Sequence, residues 1–169
     1  EMTLLYIAIT AVSVGIYLLA GDDIFTALIL ALFTIASGAG PMTGGLPPTP
    51  ALMLGAGFVA LLSALPLLTL WQLLHRRSGA ILTRHMELRA FFLLFLAAGV
   101  LLAIPSLLHG TRPIIEALGF SFFYAVSFLS TNGLMLQDVA PFHTSAALLL
   151  ILLAVIGGCM GSAAGGFRI

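Results

Sequence analysis

Long apolar runs alternate with short polar breaks along this chain. Met2 to Ala20 is almost uninterrupted apolar sequence and predicts a first membrane-spanning helix. Gly21-Asp22-Asp23 breaks it, with Asp22 or Asp23 placed to cap the next helix. Ile24 to Ala36 is apolar again but too short to cross, and it runs into Ser37-Gly38-Ala39-Gly40-Pro41 and a Gly/Pro-rich loop to Pro50. Ala51 to Leu74 predicts a second full-length span, kinked at Pro66. A polar segment from His75 to Arg89 follows, then a third span from Arg89 to Leu108 and a short connection from His109 to Arg112.

The next run, Ile114 to Leu129, reaches only about 24 Å at ~1.5 Å per residue, short of the ~30 Å of a hydrocarbon core. It ends in Ser130-Thr131-Asn132-Gly133, two hydroxyls, an amide and a glycine. Backbone left unpaired at membrane depth persists only where protein buries it or water reaches it. A half-length helix feeding such a turn is a candidate pore loop, whose carbonyls replace the water around a cation; the plainer reading is a helix hairpin with a Ser/Thr-rich cap. A loop from Leu134 to Phe142 leads to a last helix, His143 to Ile156. That helix dissolves into Gly157-Gly158-Cys159-Met160-Gly161-Ser162-Ala163-Ala164-Gly165-Gly166.

Span, short helix, polar turn, span thus occurs twice, displaced by roughly ninety residues, and repetition of this kind builds transport proteins around a central path. It predicts an all-α membrane protein of two repeated span, short helix, span units with re-entrant half-helices. The boundaries expected are 1–75 for one unit, 76–88 for a basic loop and 89–169 for the second.

Composition agrees. Of 169 residues 61% are hydrophobic and 7% charged, with mean hydropathy +1.20, where a soluble domain carries about 25% charged residues. Six basic and six acidic side chains balance, which leaves no field for nucleic acid. The single Cys159 excludes an internal disulfide and a thiolate metal site. Arg76, Arg77, Arg84 and Arg89 gather in one loop with His75 and His85, which predicts a cytoplasmic loop and places both short-helix turns toward the outside. That loop sets topology or also docks a cytosolic partner. The chain has no signal-peptide pattern at its start and begins and ends beside apolar helix-like sequence, which predicts a piece of a longer polytopic protein.

Entering from outside, each short helix points a C-terminus inward with about half a negative elementary charge, favouring a dehydrated cation. Gly133 permits a backbone angle other residues resist. The five glycines from Gly157 to Gly166 each lower helix propensity by about 1 kcal/mol relative to alanine. They predict an unwound, movable plug below the turn, or else close helix packing through Gly157/Gly161 and Gly161/Gly165. Ser162 has no histidine base in a matching region, which argues against a serine hydrolase. Asp22, Asp23, Glu116 and Asp138 lie near the outer rim rather than within spans, which argues against a carboxylate-driven transporter. The Phe91-Phe92, Phe95 and Phe120, Phe122, Phe123 clusters read as packing or lipid-facing residues.

GGCMGSAAGGFRI, Gly157 to Ile169, resembles the Gly-rich intramembrane loop of the Trk/Ktr/HKT potassium-transporter superfamily, close to GGCAGSTGGGIKV in the third repeat of the Trk-type membrane subunit. AVSFLSTNGLMLQD is similar to the third-repeat pore helix and filter, usually S-x-x-T-T-T-G-F. FTIASGAG resembles the second-repeat filter, commonly ATGGF, and HMELRAFF the stretch opening the third repeat. The resemblance covers essentially the whole chain as second repeat plus most of the third.

It implies four non-identical M1-pore helix-M2 (potassium-channel-like) repeats in one chain around a potassium-selective pore, in a plasma (inner) membrane homodimer gated by a cytosolic nucleotide-binding regulatory subunit. The partners so implied are the potassium ion, the lipid bilayer and the first and fourth repeats, with no cofactor, no nucleic acid and no enzymatic activity. By match, Ser130, Thr131, Asn132 and Gly133, with Ser37, Gly38, Ala39 and Gly40, form the selectivity filter. Gly157, Gly158, Gly161, Ser162, Gly165 and Gly166 form the gate loop, with Arg168 in the family's lysine position. Ungapped, the second-repeat filter glycine falls on Ala39; a one-residue shift restores a glycine but puts Pro41 after it. Asn132 replaces a common threonine and Ala163-Ala164 a Thr-Gly. Two repeats alone cannot close a four-part filter. The alternative reading is a non-conducting membrane scaffold or regulatory subunit, supported by Ala39 and the altered loop.

Overall fold

Six helices follow one another in a computed structural model that describes residues 2–21, 23–38, 49–66, 71, 86–108, 113–135 and 144–167. They are α1 (Met2–Leu19), α2 (Ile24–Ile35), α3 (Pro50–Ala64), α4 (Met86–Leu108), α5 (Ile114–Leu129) and α6 (Thr144–Ile156). No strand occurs among the described residues, and the chain is all-α.

The apolar pattern fixes most boundaries to within a few residues, and α5 matches its expected run at both ends. α4 begins at Met86, three positions before the expected Arg89. Asp23 stands at the N-cap of α2 with extended backbone, but its side chain makes no capping hydrogen bond, so the expected cap is positional only. The basic loop, with Arg76, Arg77, Arg84, His75 and His85, lies outside the described residues, as do Ala39, Gly40, Asp138 and Arg168.

The expected bend at Pro66 is an interruption: α3 ends at Ala64 and Leu65 turns extended (φ −83°, ψ 148°), and the run beyond Pro66, Trp71 apart, lies outside the described residues. Steric clash with the Pro66 ring disfavours helical backbone at Leu65, and Pro66 brings no N–H to continue the ladder. Proline stops this helix. Among the described residues one helix is long and apolar enough to cross a membrane, Met86–Pro105, with hydropathy 2.3 over 20 residues. The others are shorter apolar helices of 10–17 residues in their described parts.

Among the described residues each half contributes three helices. In the first, α1 packs on α2 and α2 on α3; in the second, α4 packs on α5 and α5 on α6. The halves join where α3 lies against α5. Small residues set these distances: a side chain at Gly99 would strike the Phe122 ring, and one at Gly55 would meet Ile16 at 2.7 Å. Tyr17, fully buried, reaches from α1 to Thr34 of α2 at 2.9 Å. Thr34 already gives its proton to the Leu30 carbonyl at 2.6 Å, so Tyr17 donates. Ile7, Leu54, Leu93, Ile115 and Leu148 face outward and exposed, a surface suited to lipid or further helices rather than water.

Candidate functional site

The two half-length helices end in the same way. After α2, the N–H of Ser37 donates to the Thr34 carbonyl (3.3 Å) and that of Gly38 to Phe33 (2.9 Å). After α5, Thr131 donates to Phe128 (3.0 Å) and Asn132 to Ser127 (3.0 Å). These paired bonds are a Schellman termination, which requires left-handed backbone at its turning residue. Glycine usually fills that place; here Ser37 (φ 52°) and Thr131 (φ 57°) do. Left-handed backbone costs a residue with a Cβ about 1–2 kcal/mol, and β-branched Thr131 is the more strained of the two.

The second turn goes further. Gly133 is also left-handed (φ 62°) and donates to the Ser127 carbonyl at 3.3 Å, which takes a third bond from the Ser130 hydroxyl at 3.2 Å. The Ser127 hydroxyl donates to the Leu134 carbonyl at 2.8 Å. One residue of α5 therefore fastens the turn at both ends. No described residue donates to the carbonyls of Ser130, Thr131, Asn132 or Gly133. The result is a strained turn with its N–H groups spent inward and its carbonyl oxygens unspent, at the negative end of a helix.

Asn132 is fully buried, and its amide donates to the Ser63 hydroxyl on α3 at 3.3 Å. Ser63 gives its own proton to the Ala60 carbonyl at 2.8 Å, so it can only accept from Asn132, which fixes the amide orientation. Among the described residues, Asn132 Oδ1 and Ser37 Oγ are buried and have no hydrogen-bond partner.

Beyond α6 the chain is unwound from Gly157 onward, which rules out helix packing through Gly157/Gly161 and Gly161/Gly165. The segment closes on itself. Gly157 (φ 77°) and Gly166 (φ 95°) touch backbone to backbone, where a Cβ on Gly157 would overlap the Gly165 carbonyl, and Phe167 donates back to Val155 at 2.9 Å. Ser162 spends its hydroxyl locally, donating to the Cys159 carbonyl at 2.7 Å and accepting from the Ala164 N–H at 3.3 Å.

The segment is also docked. Cys159 N–H donates to the Ala64 carbonyl (3.3 Å) and Ala163 N–H to the Ser63 carbonyl (3.2 Å), two acceptors that a helix continuing past Pro66 would have consumed. Gly165 N–H donates to Thr131 Oγ1 at 2.7 Å. Turn and Gly-rich segment, 34 residues apart in sequence, thus meet directly.

Known proteins share this plan. The structure of the potassium transporter TrkH from Vibrio parahaemolyticus superposes with a TM-score of 0.87 over 96% of this chain and 36% of that one, at 24% identity. Trk system potassium uptake protein TrkG of Escherichia coli (strain K12) is 33% identical over 156 residues, 90% of this chain and 32% of that protein. Over most of its length the chain is similar to these Trk proteins. Trk system potassium uptake protein TrkI of Halomonas elongata is 27% identical over 169 residues, 98% of this chain and 34% of TrkI. No family profile matches the chain. The chain spans about a third of the length of the curated relatives it matches.

The residues of this arrangement that the sequence does not reveal are Ser63 and Ser127. Each is an isolated serine in an apolar helix, a pattern that ordinarily marks a hydroxyl bonded to its own helix. Nothing in the sequence distinguishes them from Ser121, whose hydroxyl goes no further than Ala117 of its own helix.

Proposed function

We propose that this chain belongs to a Trk-type transporter and contributes two repeats, 1–75 and 89–169, to a potassium-conducting pore in the plasma (inner) membrane. The observation that carries this reading is the Ser130–Gly133 turn, whose four carbonyls take no hydrogen bond from the described residues, at the end of a half-length helix. A potassium ion exchanges its water for such carbonyls, while the helix end, about half a negative charge, offsets the cost of dehydration. Ser37, Gly38, Ala39 and Gly40 would supply the matching quarter, and two further repeats the rest. The Gly-rich segment 157–166, with Arg168, would close the path below the turn. The chemistry is permeation rather than catalysis, and it calls for no cofactor. A homodimer and a cytosolic nucleotide-binding regulatory subunit complete the proposal, with the basic loop 76–88 on the cytoplasmic side.

One observation favours a non-conducting scaffold instead. The shared termination pairs Ser37 with Thr131, so by register Ala39 takes the place of Gly133. Growth on limiting potassium, in cells stripped of their own uptake systems, separates the two. Rescue by the full-length protein supports conduction; no rescue despite normal membrane expression supports the scaffold.

A further inference from the structure

Thr131, Asn132, Ser63, Ala163 and Gly165 form a closed ring. Two neighbours in the turn, Thr131 and Asn132, bond outward to different partners: Thr131 accepts from Gly165 of the Gly-rich segment (2.7 Å), and Asn132 donates to Ser63 of α3 (3.3 Å). Ser63 returns to the Gly-rich segment through its carbonyl, which accepts from Ala163 (3.2 Å). Three hydrogen bonds and two short lengths of chain complete the circuit, with Ser63 and Asn132 both buried.

We infer that Ser63 is a positioning residue for ion discrimination, coupling the docked state of the Gly-rich segment to the geometry of the Ser130–Gly133 turn. This rests on the conduction proposed above. The turn is strained, with Thr131 and Gly133 both left-handed, so it holds its shape only where its surroundings over-determine it. Two of the contacts that do so lie in this ring. When the segment leaves, Thr131 loses its partner and Ser63 loses the bond on its carbonyl, so both supports of the turn slacken together. The turn therefore keeps its shape best with both supports in place and less well as either is lost. The Ser63 hydroxyl carries the linkage through the α3 side, which belongs to the other repeat.

The experiment compares potassium-over-sodium permeability and resting leak in the full-length protein reconstituted in vesicles, for wild type, Ser63→Ala, Ser63→Thr and Ala163→Pro. Ser63→Ala removes the acceptor for Asn132, and Ala163→Pro deletes the N–H donor to the Ser63 carbonyl without altering a residue of the turn. Loss of one such hydrogen bond should lower the permeability ratio about threefold to tenfold in each. Ser63→Thr, which keeps the hydroxyl, should restore it, and leak should rise in step. A serine with only a structural role would lower the amount of protein in the membrane and leave the ratio untouched. An unchanged ratio in Ser63→Ala, or in Ala163→Pro should Ser63→Ala fail to reach the membrane, overturns the inference while wild-type uptake still upholds conduction. Wild type that passes no potassium overturns both.

Discussion

Ser37 and Thr131 hold the same left-handed backbone, φ 52° and 57°, at the same step past the end of a half-length helix. They stand 94 positions apart (131 minus 37), and among the described residues Thr131 but not Ser37 has a partner for its hydroxyl. The strain is therefore common to both turns, while the docking contact belongs to one.

That difference makes Ser37 the safer of the two to relieve. Ser37→Gly removes a left-handed Cβ and an unpartnered buried hydroxyl together. It should stabilise the protein by about 1–2 kcal/mol, read as a higher unfolding temperature in detergent. A lower unfolding temperature would mean that the Ser37 hydroxyl has a use this account misses.

The glycines of the Gly-rich segment should not be equivalent. Gly157→Ala puts a Cβ into the Gly165 carbonyl on left-handed backbone, a combined cost of about 2–5 kcal/mol to the docked segment. Gly161 is also left-handed, but it faces open space and should cost only about 1–2 kcal/mol. Rubidium leak from vesicles holding the full-length protein should therefore rise far more for Gly157→Ala than for Gly161→Ala. Equal leak would show that the closure of Gly157 on Gly165 and Gly166 does not hold the segment in place.

Pro66 has a comparable role at a distance. By ending α3 it leaves the Ser63 and Ala64 carbonyls free to dock Ala163 and Cys159. Pro66→Ala favours helix by about 3 kcal/mol, and an extended α3 would take both carbonyls for its own ladder. The segment should then undock, with raised leak and faster amide exchange at Cys159 and Ala163. Unchanged protection at those two amides would contradict this.

Much of this was legible beforehand, for reasons that differ between elements. The half-length helix from Ile114 to Leu129 and the turn after it stood out because an apolar run too short to span must end in something that satisfies its backbone. The unwinding at Gly157 was one of two open readings, since glycine spacing serves close helix packing as well as a loop; the contact between Gly157 and Gly166 decides it. Pro66 was read as a kink because a membrane helix can absorb a proline. Here neighbouring backbone from the Gly-rich segment takes the freed carbonyls, and the helix stops. Ser63 carried no signal, since its significance arises from Asn132, 69 residues away.

The central claim is that the Ser130–Gly133 turn selects the ion, and the reversal potential under opposed potassium and sodium gradients tests it most directly. Gly133 is left-handed, so Gly133→Ser forces about 1–2 kcal/mol of strain onto the turn and reorients its carbonyls. The account predicts a potassium-selective reversal potential for the full-length wild type and a potassium-over-sodium ratio about tenfold lower for Gly133→Ser. Equal selectivity in the two proteins, at equal expression, would place the filter elsewhere.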